Sequence, residues 1–210
     1  MLSVVLFLTM LVPMENVQAK EKNHQSLYNA QTHFLKTNKL NKSDIQQSFY
    51  YDINNDGKLE IVISAWNSQL AINSISIIGI YSSEGKFLTS RRLKDSYNED
   101  FSVLHVSRIH NPTYKNVIAA EYLGGVGGGS LIQVFIFKNN KLVPILLTEQ
   151  SETSIIFKDL NGDQNQEIIG FTPYGGKPFE GSYHTAPLHK FIYQWDKLKN
   201  KYTYTLELTE

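Results

Sequence analysis

Apolar and polar residues alternate with a period of two over most of the chain beyond Ser48. The apolar runs are rich in β-branched and aromatic residues and are bounded by Asn, Asp and Gly, a pattern typical of short strands joined by tight turns. Strands are therefore predicted over residues 49–52, 60–64, 74–81, 101–107, 116–122, 131–137, 154–157, 167–171, 189–195 and 202–208. Because this region has no comparable helical periodicity, an all-β fold of about ten to twelve strands is expected.

The same order of strands and turns occurs three times along the chain. Each unit contains a strand, a polar turn, an apolar strand, a loop, a third strand and a tight turn, and the units cover residues 47–95, 100–148 and 153–208. Alignment on Glu60, Asn116 and Glu167 gives spacings of 56 and 51 residues. Blades of β-propellers recur at about 40 to 50 residues. The predicted fold class is all-β, with three four-stranded antiparallel blade-like repeats in a partial β-propeller-like domain over residues 47–210.

The start of the chain has the pattern of a secretion signal. Leu2–Met14 is almost wholly apolar but too short to span a bilayer, and Val17-Gln18-Ala19 supplies small residues at the −3 and −1 positions of a signal-peptidase site. We interpret residues 1–19 as a signal peptide of a secreted, extracellular or cell-envelope-associated protein. No Lys or Arg precedes the apolar run, so an uncleaved anchor is the alternative.

Residues 20–46 form a polar lead-in to the repeats. Within it, Leu27, Ala30, Phe34 and Leu35 have the spacing of a weak apolar stripe on a short helix. Two interpretations follow: a single helix that docks on the domain, or a partly ordered linker.

Composition and charge exclude several classes of protein. The 210 residues carry 20 Lys and Arg against 20 Asp and Glu, so no basic excess indicates a nucleic-acid partner. The absence of cysteine excludes disulfides, thiolate zinc sites, iron–sulfur clusters and a lipoprotein cysteine. No other segment has the length of a membrane span, so no stable membrane insertion is expected once the signal peptide is removed.

Two of the predicted turns carry side chains that suit a cation. Oxygen-bearing side chains fall at positions 1, 3, 5 and 9 of each turn, and the backbone carbonyl at position 7 can complete the set. The residues at positions 1, 3, 5, 7 and 9 are Asp52, Asn54, Asp56, Lys58 and Glu60 in the first unit, and Asp159, Asn161, Asp163, Asn165 and Glu167 in the third. Because Ca²⁺ prefers six to eight hard oxygen ligands with loose geometry, one or two structural Ca²⁺ ions are predicted.

Two other kinds of turn share parts of this pattern. An EF-hand needs a bidentate Glu at position 12 and flanking helices, whereas position 12 is Ile63 or Gly170 and the flanks are predicted strands. The EF-hand is therefore excluded. An ordinary hairpin turn with solvated acidic residues also explains Asn, Asp and Gly here, but the same ligand register in two equivalent turns favours calcium.

The motif Asp-x-Asn-x-Asp-Gly-x-x-Glu after a strand, repeated in units of four strands, resembles the FG-GAP or VCBS-type repeat of the integrin α-chain N-terminal propeller family. The resemblance covers roughly residues 47–208 and implies that the ten residues above hold calcium. The middle unit departs from the pattern and is expected to bind no ion, since its ligand positions hold Arg108, His110, Pro112, Tyr114 and Asn116. Three units are also fewer than the roughly four to eight blades of a closed propeller.

Other features give weaker indications. The glycine-rich segment 124–130 lacks the Lys and Ser or Thr of a phosphate loop and enters a predicted strand. His184 and His189 lie in the long loop 172–190, without a third metal ligand nearby in the sequence. No catalytic arrangement is recognisable, which favours a binding protein over an enzyme.

Three functional hypotheses remain from the sequence. The first is a secreted calcium-binding repeat module that binds an extracellular protein or glycan, with structural Ca²⁺ in two hairpin loops. The second is an extracellular hydrolase of a cell-wall or extracellular polymer, with its site in loop 172–190. The third is a protein that completes a propeller by self-association, because unpaired sheet edges and faces must be covered.

Overall fold

A computed structural model describes residues 14–67, 75–93, 101–124, 130–148, 151, 153, 155–172 and 187–208. One helix, α1 at Met14–Asn38, and a 3₁₀ turn at Lys42–Asp44 precede twelve strands. The strands are β1 Ile45–Tyr51, β2 Glu60–Asn67, β3 Ile75–Tyr81, β4 Phe87–Leu93, β5 Phe101–Asn111, β6 Lys115–Gly124, β7 Ser130–Lys138, β8 Lys141–Leu147, β9 Ile156–Lys158, β10 Glu167–Thr172, β11 His189–Asp196 and β12 Lys201–Glu207.

The strands form three separate four-stranded sheets, in the orders β1-β2-β3-β4, β5-β6-β7-β8 and β9-β10-β11-β12. Every neighbouring pair is antiparallel. The prediction of three four-stranded antiparallel repeats is therefore confirmed. Two edge strands, β4 and β8, were not among the predicted ranges. Arg91 and Arg92 interrupt the apolar pattern of β4, and Pro144 interrupts that of β8; proline is tolerated in edge strands because one side of such a strand needs no ladder hydrogen bonds.

The sheets pack on one another in chain order through two apolar clusters. The first cluster joins Ile53, Val62, Ile78, Ile80 and Leu93 of the first repeat to Val106, Ile118, Ala120, Leu131, Phe135 and Leu142 of the second. The second joins Ile109, Val117, Ala119, Ile132, Val134 and Ile136 of the second repeat to Ile155, Ile168, Phe191 and Tyr193 of the third. The second sheet is thus buried on both faces, which explains the unbroken apolar run Val117-Ile-Ala-Ala120 in β6.

Helix α1 covers the face of the first sheet that the second sheet leaves free. Ala30 and Phe34 are fully buried, with Leu27 and Leu35 partly buried beside them, against Ile61, Ile63, Ala65, Ile77 and Tyr81. The predicted apolar stripe of a docking helix is therefore confirmed. A β-carbon at Gly79 in β3 would lie 2.7 Å from the Phe34 ring, so the absence of a side chain at Gly79 lets the ring approach the strand.

The described part of helix α1 extends back to Met14, across the predicted boundary between Ala19 and Lys20. Removal of residues 1–19 stays a prediction. Among the described residues, no helix has both the length and the hydropathy needed to cross a membrane.

The sequence alignment that matches Asn116 with Glu60 and Glu167 is shifted by one residue relative to the sheet faces. Ile61 and Ile168, which directly follow the aligned glutamates, point toward the preceding layer, whereas Val117 points toward the following sheet. The cause is loop length: β5 and β6 are joined by the three residues 112–114, while eight residues join β1 to β2 and β9 to β10. The three sheets are equivalent, but the middle turn has no position-by-position counterpart of the other two loops.

Candidate metal centre

The ten predicted ligands lie in two loops of equivalent position. We call residues 52–60, between β1 and β2, the first loop, and residues 159–167, between β9 and β10, the third loop. Each loop connects the first two strands of its sheet and places its position-9 glutamate as the first residue of the second strand. The structure therefore brings the predicted ligands of each unit together within one short turn.

In the first loop, the carboxylates accept hydrogen bonds from the backbone of the same turn. Asp52 Oδ1 and Oδ2 accept from the N–H groups of Asp56 and Gly57, each at 3.1 Å. Asp56 Oδ1 accepts from Lys58 N at 2.8 Å, and Glu60 Oε2 accepts from Ile53 N at 3.1 Å. These bonds curl the loop into a compact ring closed by Glu60.

The third loop repeats most of this network, and one donor to its first aspartate differs. Asp159 accepts from the N–H groups of Gly162 and Gln164 at 2.7 and 2.8 Å. Asp163 Oδ1 accepts from Asn165 N at 2.9 Å, and Glu167 Oε2 accepts from Leu160 N at 2.7 Å. The carboxylates at positions 5 and 9 accept from the same loop positions in both loops. The position-1 aspartates share the position-6 donor, while the second donor is at position 5 in the first loop and at position 4 in the third.

The asparagine at position 3 links the centre of each loop to its closing glutamate. Asn54 Nδ2 lies 3.1 Å from Asp56 Oδ2 and 3.2 Å from Glu60 Oε1, so two carboxylates converge on one atom. Asn161 Nδ2 similarly lies 3.4 Å from Glu167 Oε1. In both loops the side-chain Oδ1 of the position-3 asparagine accepts from the position-5 N–H at 2.9 Å.

The backbone bends at the same two positions in both loops. Positions 4 and 6 have positive φ: 62° at Asn55 and 83° at Gly57, 77° at Gly162 and 66° at Gln164. The first loop places its glycine at position 6 and the third at position 4, so the glycine changes place while the conformation stays the same. Gln164 carries the conformational cost that Gly57 avoids.

The position-9 glutamates are buried although most of each loop is exposed. Glu60 is 4% exposed and Glu167 is 3% exposed. Burial raises the pKa of Glu60, and the charges of Asp56 and Asp52 raise it further, against the lowering effect of the Ile53 and Asn54 N–H groups. Hydrogen bonds from Asn165 lower the pKa of Asp163. Negative charge is therefore concentrated at the closed end of the first loop, where a cation would relieve the repulsion.

The donor types of both loops fit calcium: carboxylate, amide and backbone oxygens, with neither sulfur nor imidazole. Within the part of the chain that the structure describes, no three side chains of His, Cys, Asp or Glu are placed to hold a metal ion together. The carboxylates of Asp52 and Asp56 face N–H groups of their own loop, so their rotation would be needed to bring all the oxygens onto one ion.

The middle turn has a different role. Its residues bind the neighbouring repeats: Asn116 Nδ2 donates to the carbonyl of Asp52, Asn116 N donates to Asn55 Oδ1 at 3.2 Å, and Asn55 Nδ2 donates to the carbonyl of Tyr114 at 2.9 Å. The first loop is therefore attached to the second sheet by paired asparagine contacts. Sequence analysis missed this contact because it depends on how the sheets stack.

The same turn also contacts the third sheet. Trp195 Nε1 donates to Thr113 Oγ1 at 2.9 Å, the Trp195 and Tyr114 rings meet edge to face at 5.6 Å, and Asn200 Nδ2 donates to Tyr114 Oη at 3.1 Å. The middle turn thus connects the first loop to the turn between β11 and β12.

The remaining sequence candidates are only partly covered by the structure. His184 and most of loop 172–190 lie outside the described residues, as does the centre of the glycine-rich segment 124–130. His189 is the first residue of β11 and pairs with Thr172 of β10, so it is part of the sheet ladder.

Comparison with known proteins gives little. No known protein family matches the sequence, and no curated protein matches it. The rhamnogalacturonan lyase YesW is similar in structure, with 15% identity and a TM-score of 0.44, over 77% of this chain and 37% of that chain. The rhamnogalacturonan lyase PL11 of Bacillus licheniformis is similar with 14% identity and a TM-score of 0.44, over 70% of this chain and 35% of that chain. This chain thus spans little more than a third of either protein.

Proposed function

We propose that the protein is a secreted calcium-binding repeat module of the FG-GAP or VCBS type. The observation that carries the proposal is the repetition of four equivalent hydrogen bonds, accepted by the side chains at positions 1, 3, 5 and 9, in the first and third loops. A solvated hairpin turn would not need a buried glutamate at the same position in both loops. Calcium binding explains why both loops keep three carboxylates within one turn.

The ion would have a structural role. Ca²⁺ would supply positive charge among the carboxylates of each loop, held by Asp52, Asn54, Asp56, Glu60 and the Lys58 carbonyl, or by Asp159, Asn161, Asp163, Glu167 and the Asn165 carbonyl. The protein's own part is to fix the loop through backbone hydrogen bonds and to attach the first loop to Asn116. Calcium would therefore stabilise the packing of the first and second sheets as well as the hairpin.

The stacking of three consecutive four-stranded sheets supports a partial propeller-like arrangement. We propose secretion on the sequence evidence of the first nineteen residues, and a binding role toward an extracellular protein or glycan. No contact between described residues favours the alternative of a hydrolase site in loop 172–190, so an activity screen on polymer substrates is its test.

We also propose that a second copy of the chain packs on the outer face of the third sheet, which no other described sheet covers. Ile156, Ile169 and Ile192 are in register across β9, β10 and β11 on that face. Ile169 is buried at 5% exposure, whereas Ile156 and the nearby Leu160 are 48% and 43% exposed and would form the contact. The ion pair Lys190–Glu207 lies beside these isoleucines and offers opposite charges for exchange across a two-fold axis. Because α1 covers the face at the other end of the stack, association would stop at a dimer.

Thermal unfolding of the purified protein with calcium, with magnesium and with chelator tests the calcium proposal. An ion that binds the folded protein and not the unfolded chain raises the free energy of unfolding by about 2.7 kcal/mol when its free concentration is 100 times Kd. We expect calcium to raise Tm and an equal concentration of magnesium to raise it much less. Equal melting temperatures in saturating calcium and in chelator would refute a structural ion.

A further inference from the structure

The first strands of the three sheets meet at a groove that is separate from both loops' ligands. β1, β5 and β9 contribute to its walls, and the groove has a volume of about 630 Å³. Gln47, Phe49, Ser107, Arg108, Phe157 and Gln166 are among its lining residues. Grooves of roughly 300 to 1,000 Å³ with a few convergent polar groups are typical small-ligand sites.

Arg108 is the charged residue of this lining, and its surroundings hold it in place. The guanidinium carbon lies 4.6 Å from the centre of the Phe49 ring and 5.6 Å from that of Tyr51. Burial raises the pKa of Tyr51 to about 12, while the charge of Arg108 lowers it, so Tyr51 stays neutral beside the guanidinium. Stacking on aromatic rings uses the face of a guanidinium and leaves the in-plane N–H donors for a ligand.

Within the described part of the chain, the ion pairs are Lys190–Glu207 and Lys199–Asp196, and Arg108 belongs to neither. An exposed arginine on a rigid strand, positioned by two rings and without a carboxylate partner in that part of the protein, is suited to an anionic ligand. Arginine pairs with a carboxylate through two parallel hydrogen bonds. A carboxylate carries one negative charge, which a single arginine balances.

The remaining lining adds neutral hydrogen-bonding groups. Gln47 uses its side-chain oxygen to accept from Val106 N, which fixes the side chain and leaves its amide hydrogens as donors. Ser107 and Gln166 add a hydroxyl and a second amide, and Phe157 adds an apolar ring. Amides and hydroxyls of this kind exchange hydrogen bonds with the hydroxyl groups of a sugar, and aromatic rings pack on its C–H faces.

We propose that this groove binds a carboxylated sugar, with the carboxylate on Arg108 and the ring hydroxyls on the Gln and Ser side chains. The site goes beyond the calcium-binding role and uses none of the residues of the first loop. The probe is trigalacturonic acid, with its methyl ester as the uncharged counterpart, in isothermal titration calorimetry on the full chain with calcium present.

We expect trigalacturonic acid to bind the wild-type protein at least tenfold more tightly than the ester. Arg108→Gln should weaken the binding of trigalacturonic acid about ten- to hundredfold, because it removes a hydrogen-bonded charge pair. The affinity of Arg108→Lys should lie between those of the wild type and Arg108→Gln. Arg92→Gln, which changes another exposed arginine in β4, is the matched control and should bind within about twofold of wild type.

Melting temperature and calcium affinity are measured on each variant, so that loss of sugar binding is separated from loss of the fold or of the loops. The proposal is overturned if the wild type binds neither sugar, if the ester binds as well as the acid, or if Arg108→Gln binds as wild type. Equal binding of a short peptide with a free carboxylate would also overturn it, because the sugar hydroxyls would then contribute nothing.

Discussion

Ile53 and Leu160 occupy the same position in two loops with the same hydrogen-bond network, yet Ile53 is 1% exposed and Leu160 is 43% exposed. Each donates its N–H to the position-9 glutamate of its loop. The difference arises from the next layer: Ile53 packs between the first and second sheets, whereas in the described part of the chain no sheet packs beyond the third. The third repeat therefore presents to solvent a position that is core in the first.

This contrast predicts that replacement by serine is costly in the first loop and nearly neutral in the third. Ile53→Ser should lower the free energy of unfolding by about 3 kcal/mol or more, because it removes a buried side chain and leaves a cavity. Leu160→Ser should change the stability of the isolated chain by less than about 0.5 kcal/mol. Chemical denaturation of the two variants at low protein concentration provides the comparison.

If the outer face of the third sheet binds a second copy, Leu160→Ser and Ile156→Asp should shift the protein from dimer to monomer. The carboxylate that Ile156→Asp introduces opposes association, because it would lose its bound water in an apolar interface without gaining a hydrogen-bonding partner. Multi-angle light scattering at micromolar concentration measures the shift, with Glu84→Gln in the exposed turn between β3 and β4 as the control. A wild-type protein that is monomeric at every concentration would rule out the second copy.

The positive φ values at position 6 predict a stabilising substitution in the third loop. Gln164→Gly should raise the free energy of unfolding by about 0.5 to 1 kcal/mol, since the left-handed conformation costs a non-glycine residue about 1 to 2 kcal/mol and part of that gain is lost to greater freedom of the unfolded chain. Gly57→Ala should lower stability by a similar amount. Denaturant titration of both variants measures the two signs, and a destabilised Gln164→Gly protein would contradict the argument from φ.

The close approach of Phe34 to Gly79 predicts strong coupling between helix α1 and β3. Phe34→Ala should cost about 3 to 5 kcal/mol as a buried aromatic truncation, and Gly79→Ala should be costly because the new methyl group would meet the ring 2.7 Å away. In the Phe34→Ala background, Gly79→Ala should cost at least about 1 kcal/mol less. A double-mutant cycle by chemical denaturation gives this difference, and additive costs would show that the contact does not restrict residue 79.

The contact between Asn116 and the first loop predicts that one calcium site depends on the second sheet. Asn116→Ala removes the hydrogen bond to the Asp52 carbonyl and should weaken calcium binding to the first loop about three- to tenfold, for the loss of about 1 kcal/mol. Binding at the third loop should be unchanged. Calcium titration of the variant measures both, and an equal loss at the two loops would indicate a general effect on the fold.

The repeats, the strand pattern and both loops could be predicted from sequence because each is encoded within a few neighbouring residues. The edge strands β4 and β8 could not, since an edge strand tolerates the arginines and the proline that obscure the apolar pattern. The register of the middle repeat was misplaced because its turn is shorter than the loops on which the alignment was based.

Contacts between repeats were beyond sequence analysis for a different reason. The pairing of Asn55 with the middle turn and the stacking of Arg108 on Phe49 join residues about sixty positions apart. Neither pairing leaves a local pattern, because both depend on the order and angle in which the sheets stack. Sequence analysis placed Arg108 only at a ligand position of the middle unit, which is expected to bind no ion.

Calcium titration calorimetry tests the central claim most directly, using the wild type, Asp56→Asn, Asp163→Asn and the double variant, with Glu84→Gln as the control. We predict saturable calcium binding at two sites in the wild type and the control. Each single variant should lose one site, because the removed carboxylate belongs to one loop only, and the double variant should lose both. Absence of saturable binding by the wild type, or unchanged binding in the double variant, would contradict the assignment of both loops to calcium.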